Sequence, residues 1–166
     1  MPSHPAALMQ FSGEIRVGAP REAVYAKLRD AVFLASCVEG IGALVEHGPA
    51  SFSAVLQTRI AYIRFSFDVA VEILREQPPE LVEARVAGTP AGIVGRLTAT
   101  SLVTLGQDGA ETVITYRLEA SLTGRLGSLG QPVLKSKVRE MERQFSANLR
   151  QAFGLADAAI DAAAAS

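Results

Sequence analysis

From Pro132 to about Phe153 the apolar residues Leu134, Val138, Met141, Phe145 and Leu149 recur at intervals of three and four. That spacing puts one apolar stripe along a helix. The chain between residues 41 and 122 runs instead with a period of two. One long amphipathic helix behind six strand-period segments has few ways to bury its stripe. It must lie against one face of a sheet, and the simplest arrangement is a curved sheet wrapped around it. At ~1.5 Å per residue the helix is roughly 30 Å long, enough to cross a sheet.

The alternation is read segment by segment. "MQFSGEIRV" (9–17) places Met9, Phe11, Ile15 and Val17 on one face, which predicts a strand. "PREAVYAKLRD" (20–30) and "AVFLASCVEG" (31–40) predict two short helices, the first opened by Pro20 and the second closed by Gly40. Strands are then expected at 41–47, 51–60, 63–76, 81–88, 93–105 and 112–122. The third of these is the clearest, with Phe65, Phe67, Val69, Val71 and Ile73 on one face and Ser66, Asp68, Ala70 and Glu72 on the other. Short turns such as "GPA" (48–50), "QPPE" and "GQDGAE" join neighbours, so the sheet should be antiparallel. The domain is expected over 9–153, with a disordered lead at 1–8 and an Ala-rich tail at 154–166.

Composition removes several classes. Sixteen basic and seventeen acidic residues balance, which argues against a nucleic-acid surface. No apolar run approaches the ~20 residues of a membrane helix. "MPSHPAAL" lacks the basic start and apolar stretch of a signal peptide, and the single cysteine excludes an internal disulfide. A reducing, cytoplasmic setting is the expectation. The hydrophobic fraction of 49% is high, so the excess must line a core, a cavity or a docking face.

Small residues crowd the inward strand positions: Gly13, Ala54, Ala84, Gly95, Ala99, Ser101 and Ala120. They either let the helix approach closely or leave space for a ligand. Thr58, Ser101 and the Tyr116 hydroxyl are the polar groups such a space would offer. No inward position carries a general base, and His4, His47 and Cys37 make no metal-binding spacing. Cys37, next to Glu39 rather than a cation, reads as a buried structural thiol. Asp68 and Glu72 read as a solvated outer face. Lys135, Lys137, Arg139 and Arg143 read as the wet side of the last helix, or as a contact for an acidic partner or anionic headgroups.

"TGRLGSLGQPVL" (123–134) spaces Gly124, Gly127 and Gly130 by three. It lacks the Gly-x4-Gly-Lys-Ser/Thr spacing of a phosphate loop and follows no parallel strand. The glycines instead relieve backbone restriction where the last strand hands over to the helix. Leu126 and Leu129 alternate with them and should close the open end of a cavity, which makes the segment an entrance lid hinged at the three glycines.

Three segments together resemble a known family. They are "FSGEIRVGAPREAVYAKLRD", "LASCVEGI" (34–41) and "GRLGSLGQPVLKSKVREMERQFSANL" (124–149). In this order and at this length the chain is similar to the G-subunit family of carbon monoxide dehydrogenase, within the START-like, helix-grip (SRPBCC) superfamily. Glu39 stands where that family usually has proline. The resemblance implies an α+β helix-grip (START/Bet v 1-like) fold, with about seven antiparallel strands around the C-terminal helix. It implies a non-catalytic accessory protein of a molybdenum hydroxylase of the carbon monoxide or xanthine dehydrogenase type, without a redox cofactor or metal of its own. A quinone-like or lipid ligand in an apolar cavity, and at most peripheral membrane contact, follow from the same resemblance. The residues expected to face that cavity are Phe65, Phe67, Leu97, Ser101, Tyr116, Leu118, Leu126, Leu129, Val133 and Met141. Two alternatives remain: an enzyme like the polyketide cyclases and aromatases of the same superfamily, which needs titratable groups inside the pocket, and a pure protein-interaction or assembly module.

Overall fold

The computed structural model describes residues 7–153. Seven strands form one antiparallel sheet: β1 (Ala7–Val17), β2 (Ile41–Gly48), β3 (Ser51–Ile60), β4 (Ile63–Gln77), β5 (Leu81–Pro90), β6 (Gly95–Asp108) and β7 (Glu111–Thr123). Helices α1 (Arg21–Leu28) and α2 (Ala31–Cys37) follow β1, while α3 (Gly124–Gly127) and α4 (Gln131–Phe153) end the described chain. The α+β helix-grip expectation holds, and the strand periods fall where the alternation put them. Strand β1 starts at Ala7, so residues 7 and 8 of the expected lead belong to the sheet. The rest of the lead, and the Ala-rich tail at 154–166, lie outside the described residues.

The sheet order is β1-β7-β6-β5-β4-β3-β2. Each of β2 to β7 pairs with its sequence neighbour, and β7 then closes back onto β1. The edges are therefore β1 and β2, joined through α1 and α2 across one end of the concave face. Asp30 caps α2 by accepting from the Val32 and Phe33 amides at 3.0 and 3.2 Å.

Helix α4 lies lengthwise along β1. Gln131 Nε2 donates to the Leu8 carbonyl at 3.5 Å and Arg150 Nε to the Arg16 carbonyl at 3.3 Å. Nineteen residue steps from 131 to 150 cover ~28 Å of helix at ~1.5 Å each. Eight steps from 8 to 16 cover about the same distance in a strand at ~3.3 Å each. Asn148 ties the far end by donating to the Cys37 carbonyl at 2.8 Å.

Two core clusters result. The first gathers Met9, Ile60, Phe65, Phe67, Ala99, Ala120, Leu122, Leu126 and Leu134. The second, at the α1/α2 end, gathers Ile15, Val17, Val24, Tyr25, Val82, Leu105, Ile114 and Leu149. At that second end Tyr25 donates its hydroxyl to Glu76 at 2.8 Å, and Arg29 makes an ion pair with the same carboxylate. These bonds, Arg29's first, hold the Glu76 carboxyl below its ordinary value. Burial, and then the bond to Glu76, push the Tyr25 phenol up to about 12. A lowered carboxylate pKa stabilises the fold above its unfolded value, and that contribution fades as pH falls through the folded one. Because the pair is partly exposed, Glu76→Gln is expected to cost only about 1 kcal/mol at pH 7. Thermal melts should show the gap to wild type closing below about pH 4.

Candidate functional site

The site is built from where the two cores fail to meet. Along α4 the apolar stripe is buried only at its ends: Leu134 is 4% exposed and Leu149 0%, while Val138, Met141 and Phe145 between them are half-buried. The sheet below behaves the same way. Val71, Ala84, Val86, Ser101, Val103 and Leu118 share the inner face, yet all remain half-buried. Val71, Ala84, Val138 and Met141 belong to neither cluster. In a close-packed domain the centre is the driest part. Here the middle of the inner face keeps accessible surface.

Two grooves flank α4. A groove of about 370 Å³ separates α4 from the β3–β4 hairpin, lined by Arg59, Ile60, Ala61, Pro132, Val133, Ser136, Lys137 and Glu140. A second, open groove of about 590 Å³ runs along α4 itself, past Gln131, Pro132, Lys135, Ser136, Arg139 and Arg143.

The ten residues singled out in the sequence distribute as follows. Phe65 and Phe67 are buried and stacked, with ring centroids 5.6 Å apart. Leu126 is 1% exposed in the same cluster, with Leu97, Leu118, Leu129 and Val133 packed around it. Val133 also lines the groove beside the hairpin. Ser101 and Met141 are half-buried and belong to neither cluster. Tyr116 packs on the second cluster, and its hydroxyl is sealed from solvent without a hydrogen-bond partner. Its ring tip lies over Gly13, where an added Cβ would sit 2.4 Å from that oxygen. Gly13 is thus small to seat Tyr116.

Most of the other small inward residues also serve close packing. Ala99 and Ala120 sit within the first cluster, and Ala54 is 8% exposed. Gly95 faces backbone, with an added Cβ 2.7 Å from the Thr123 carbonyl oxygen. Ala84 and Ser101, cross-strand partners on β5 and β6, are half-buried and belong to neither cluster.

The glycine segment departs from its expectation in one respect. Gly124 and Gly130 have positive φ, 64° and 92°, a left-handed backbone that favours glycine. Gly127 instead ends the single turn α3, which the spacing did not predict, and is not a left-handed position. Arg125 N donates to the Val94 carbonyl at 2.9 Å and pins α3 to the β5–β6 loop. The arrangement closes this end of the inner face with Leu126.

Titratable chemistry is sparse beneath the helix. Burial pushes the Cys37 thiol up, against a smaller opposite effect of Ser36, so Cys37 is held as a neutral buried group. His47 is exposed and hydrogen-bonds Ser53 Oγ at 2.8 Å. Asp68 and Glu72 are exposed on the outer face, Glu72 beside Arg85 at 3.5 Å. Among the described residues no three His, Cys, Asp or Glu side chains converge as metal ligands, and no helix is long and apolar enough to cross a membrane.

A family model for the G-subunit of carbon monoxide dehydrogenase (CoxG) matches residues 13–154. No curated protein matches the chain. Among solved structures, a conserved protein from Geobacillus kaustophilus superposes with a TM-score of 0.81 at 24% identity, covering 88% of this chain and 95% of that one. The Zhui aromatase/cyclase from Streptomyces sp. R1128 superposes at 0.65 and 13% identity, covering 89% and 94%. Ara h 8.0201 does so at 0.60 and 12%, covering 86% and 95%. At these identities the structural likenesses establish the helix-grip fold alone.

Proposed function

The chain belongs to the carbon monoxide dehydrogenase G-subunit (CoxG) family, and on that premise we propose a non-catalytic accessory protein of a molybdenum hydroxylase. It holds an apolar ligand, a quinone or a lipid, beneath α4 and docks its enzyme at the membrane. One observation supports the ligand most: α4 is buried at Leu134 and Leu149 but half-exposed over an apolar inner face between them. The floor is Val71, Ala84, Val86, Ser101 and Leu118, and the roof is Val138 and Met141. The way in is the groove between α4 and the β3–β4 hairpin. Burial of apolar area at ~25 cal/mol per Å² supplies the driving force without any charged contact.

The aromatase/cyclase likeness is one of fold. An enzyme of that kind needs an acid or base facing its substrate, and Ser101 is the polar side chain on this floor. We therefore favour binding over catalysis. Calorimetric titration of the full chain with decyl-ubiquinone tests the reading. A micromolar dissociation constant is expected. Failure to bind at near-millimolar quinone would sink it.

The segment 123–134 acts in this reading as the end wall and lid, hinged at Gly124 and Gly130. Valine at Gly130 would confound a test, because its positive φ alone adds about 1–3 kcal/mol of strain. Leu129→Ala is cleaner. It is expected to speed exchange of decyl-ubiquinone several-fold, while half-buried Leu129 loses about 1–2 kcal/mol of stability. Exchange followed by stopped-flow, beside a thermal melt, separates the two effects.

A further inference from the structure

The sheet register brings four stretches to one end of the molecule. Ile60 pairs with Ile63 at the β3–β4 turn, Phe67 with Pro90, Gly95 with Gly124, and Ala7 with Leu122. Residues 63–66 run on past the Phe67–Pro90 pair, so the hairpin tip projects beyond β5 by ~13 Å at ~3.3 Å per residue. At this end three large apolar side chains stand exposed. Tyr62 is 96% exposed, Val94 81% and Leu8 71%. Each sits at a tip: Tyr62 on the hairpin, Val94 on the β5–β6 loop, Leu8 at the start of β1.

The charges carried by these four stretches are of one sign, and the nearest carboxylates lie further along the sheet and helix, with Glu119 beside Gln10, Asp68 opposite Thr89, and Glu140 in the groove with Arg59. Residues 7–10, 58–66, 89–97 and 121–136 contain Arg59, Arg64, Arg96, Arg125 and Lys135, and no Asp or Glu. Among the described residues none of the five takes part in an ion pair. The opposite end differs: there Arg16 pairs with Asp108, Arg21 with Glu80 and Arg29 with Glu76. Uncompensated arginines that alternate with protruding apolar tips fit a surface that is negative outside and apolar within. An acidic protein would meet the arginines but leave Tyr62 and Val94 without a greasy layer to enter.

We propose that this end is the face that lies on an anionic bilayer, with Tyr62 and Val94 inserted between headgroups and Arg59, Arg64, Arg96 and Arg125 against lipid phosphates. The proposal deepens the membrane-docking part of the reading above and rests on it. It also puts the groove beside α4 at the bilayer surface, because Arg59, Ile60 and Ala61 belong to both the groove and the hairpin.

Vesicle sedimentation of the full chain tests it. Vesicles of phosphatidylcholine with about one-third phosphatidylglycerol should pellet the chain at ~0.1 M salt, and release it as salt screens the headgroups. Phosphatidylcholine alone should leave it in the supernatant. The R59E/R64E/R96E/R125E variant is expected to partition at least ~100-fold more weakly into the anionic vesicles. The chain has no tryptophan, so Tyr62→Trp introduces a single indole whose emission should shift to the blue with anionic vesicles only. Thermal melts confirm that each variant is folded. If wild type binds both vesicle types equally, or the four-arginine variant binds like wild type, the face is wrong while membrane docking stands. Binding lost only on removal of residues 154–166 also moves docking to the tail and overturns the face. If wild type binds neither vesicle but is retained on immobilised polyglutamate through these arginines, the partner is an acidic protein and both statements fall. Decyl-ubiquinone binding without vesicles is read separately, so failure here does not touch the ligand.

Discussion

Gly40→Ala is expected to destabilise the chain by about 3–5 kcal/mol, which lowers the melting temperature by roughly 10 °C or more. Gly40 has φ of 88°, and a Cβ added there would lie 2.1 Å from the Gln57 carbonyl oxygen. Its own carbonyl accepts from the Gln57 amide at 2.9 Å. The substitution therefore strains a left-handed residue and forces β2 off β3 where the edge strand begins. It also disturbs the turn after α2, whose Cys37 carbonyl holds Asn148 of α4. Gly42→Ala is the control. It has nothing within 4 Å of the added atom and should stay within about 0.5 kcal/mol of wild type. A thermal or urea melt of the two variants decides the matter, and equal stability would contradict the account of this turn.

Filling the central space should abolish ligand binding without unfolding the protein. Ala84 and Ser101 face each other across β5 and β6 under the middle of α4. Ala84→Phe and Ser101→Phe are each expected to weaken decyl-ubiquinone binding more than ~10-fold, at a cost in stability below about 1 kcal/mol, because the ring enters solvent-reached space. Ala99→Phe makes the same change two residues away along β6. Ala99 is only 8% exposed and lies inside the first cluster, so overpacking should cost about 1–3 kcal/mol there. A large loss of stability at Ala84 and Ser101, equal to that at Ala99, would mean that the inner face is packed throughout.

The architecture was legible because its periods are clean. Phe65, Phe67, Val69, Val71 and Ile73 alternate without a break, and Leu134 to Leu149 keep a helical stripe, so the switch of period announced a sheet with one covering helix. Site details were less legible, since they depend on register and on which flank α4 chooses. Small residues look alike in a sequence, yet Gly13 seats Tyr116, Ala99 packs a core, and Ala84 stays half-buried outside both clusters. The groove residues Arg59, Ile60 and Ala61 read as the end of a strand and gave no sign of facing α4. Arg59, Arg64, Arg96 and Arg125 are isolated charges in four places along the chain. Only antiparallel pairing turns them into one surface. The turn α3 escaped notice because its four residues include two glycines, poor helix formers in isolation.

The central claim is that the space under α4 is kept for an apolar molecule. Organic extraction of the full chain, purified without detergent, followed by mass spectrometry, tests it most directly. One isoprenoid quinone or lipid species is expected at close to one molecule per chain, absent from an Ala84→Phe sample prepared in parallel. An extract with no apolar molecule, from a chain that also fails to take up decyl-ubiquinone, would contradict it.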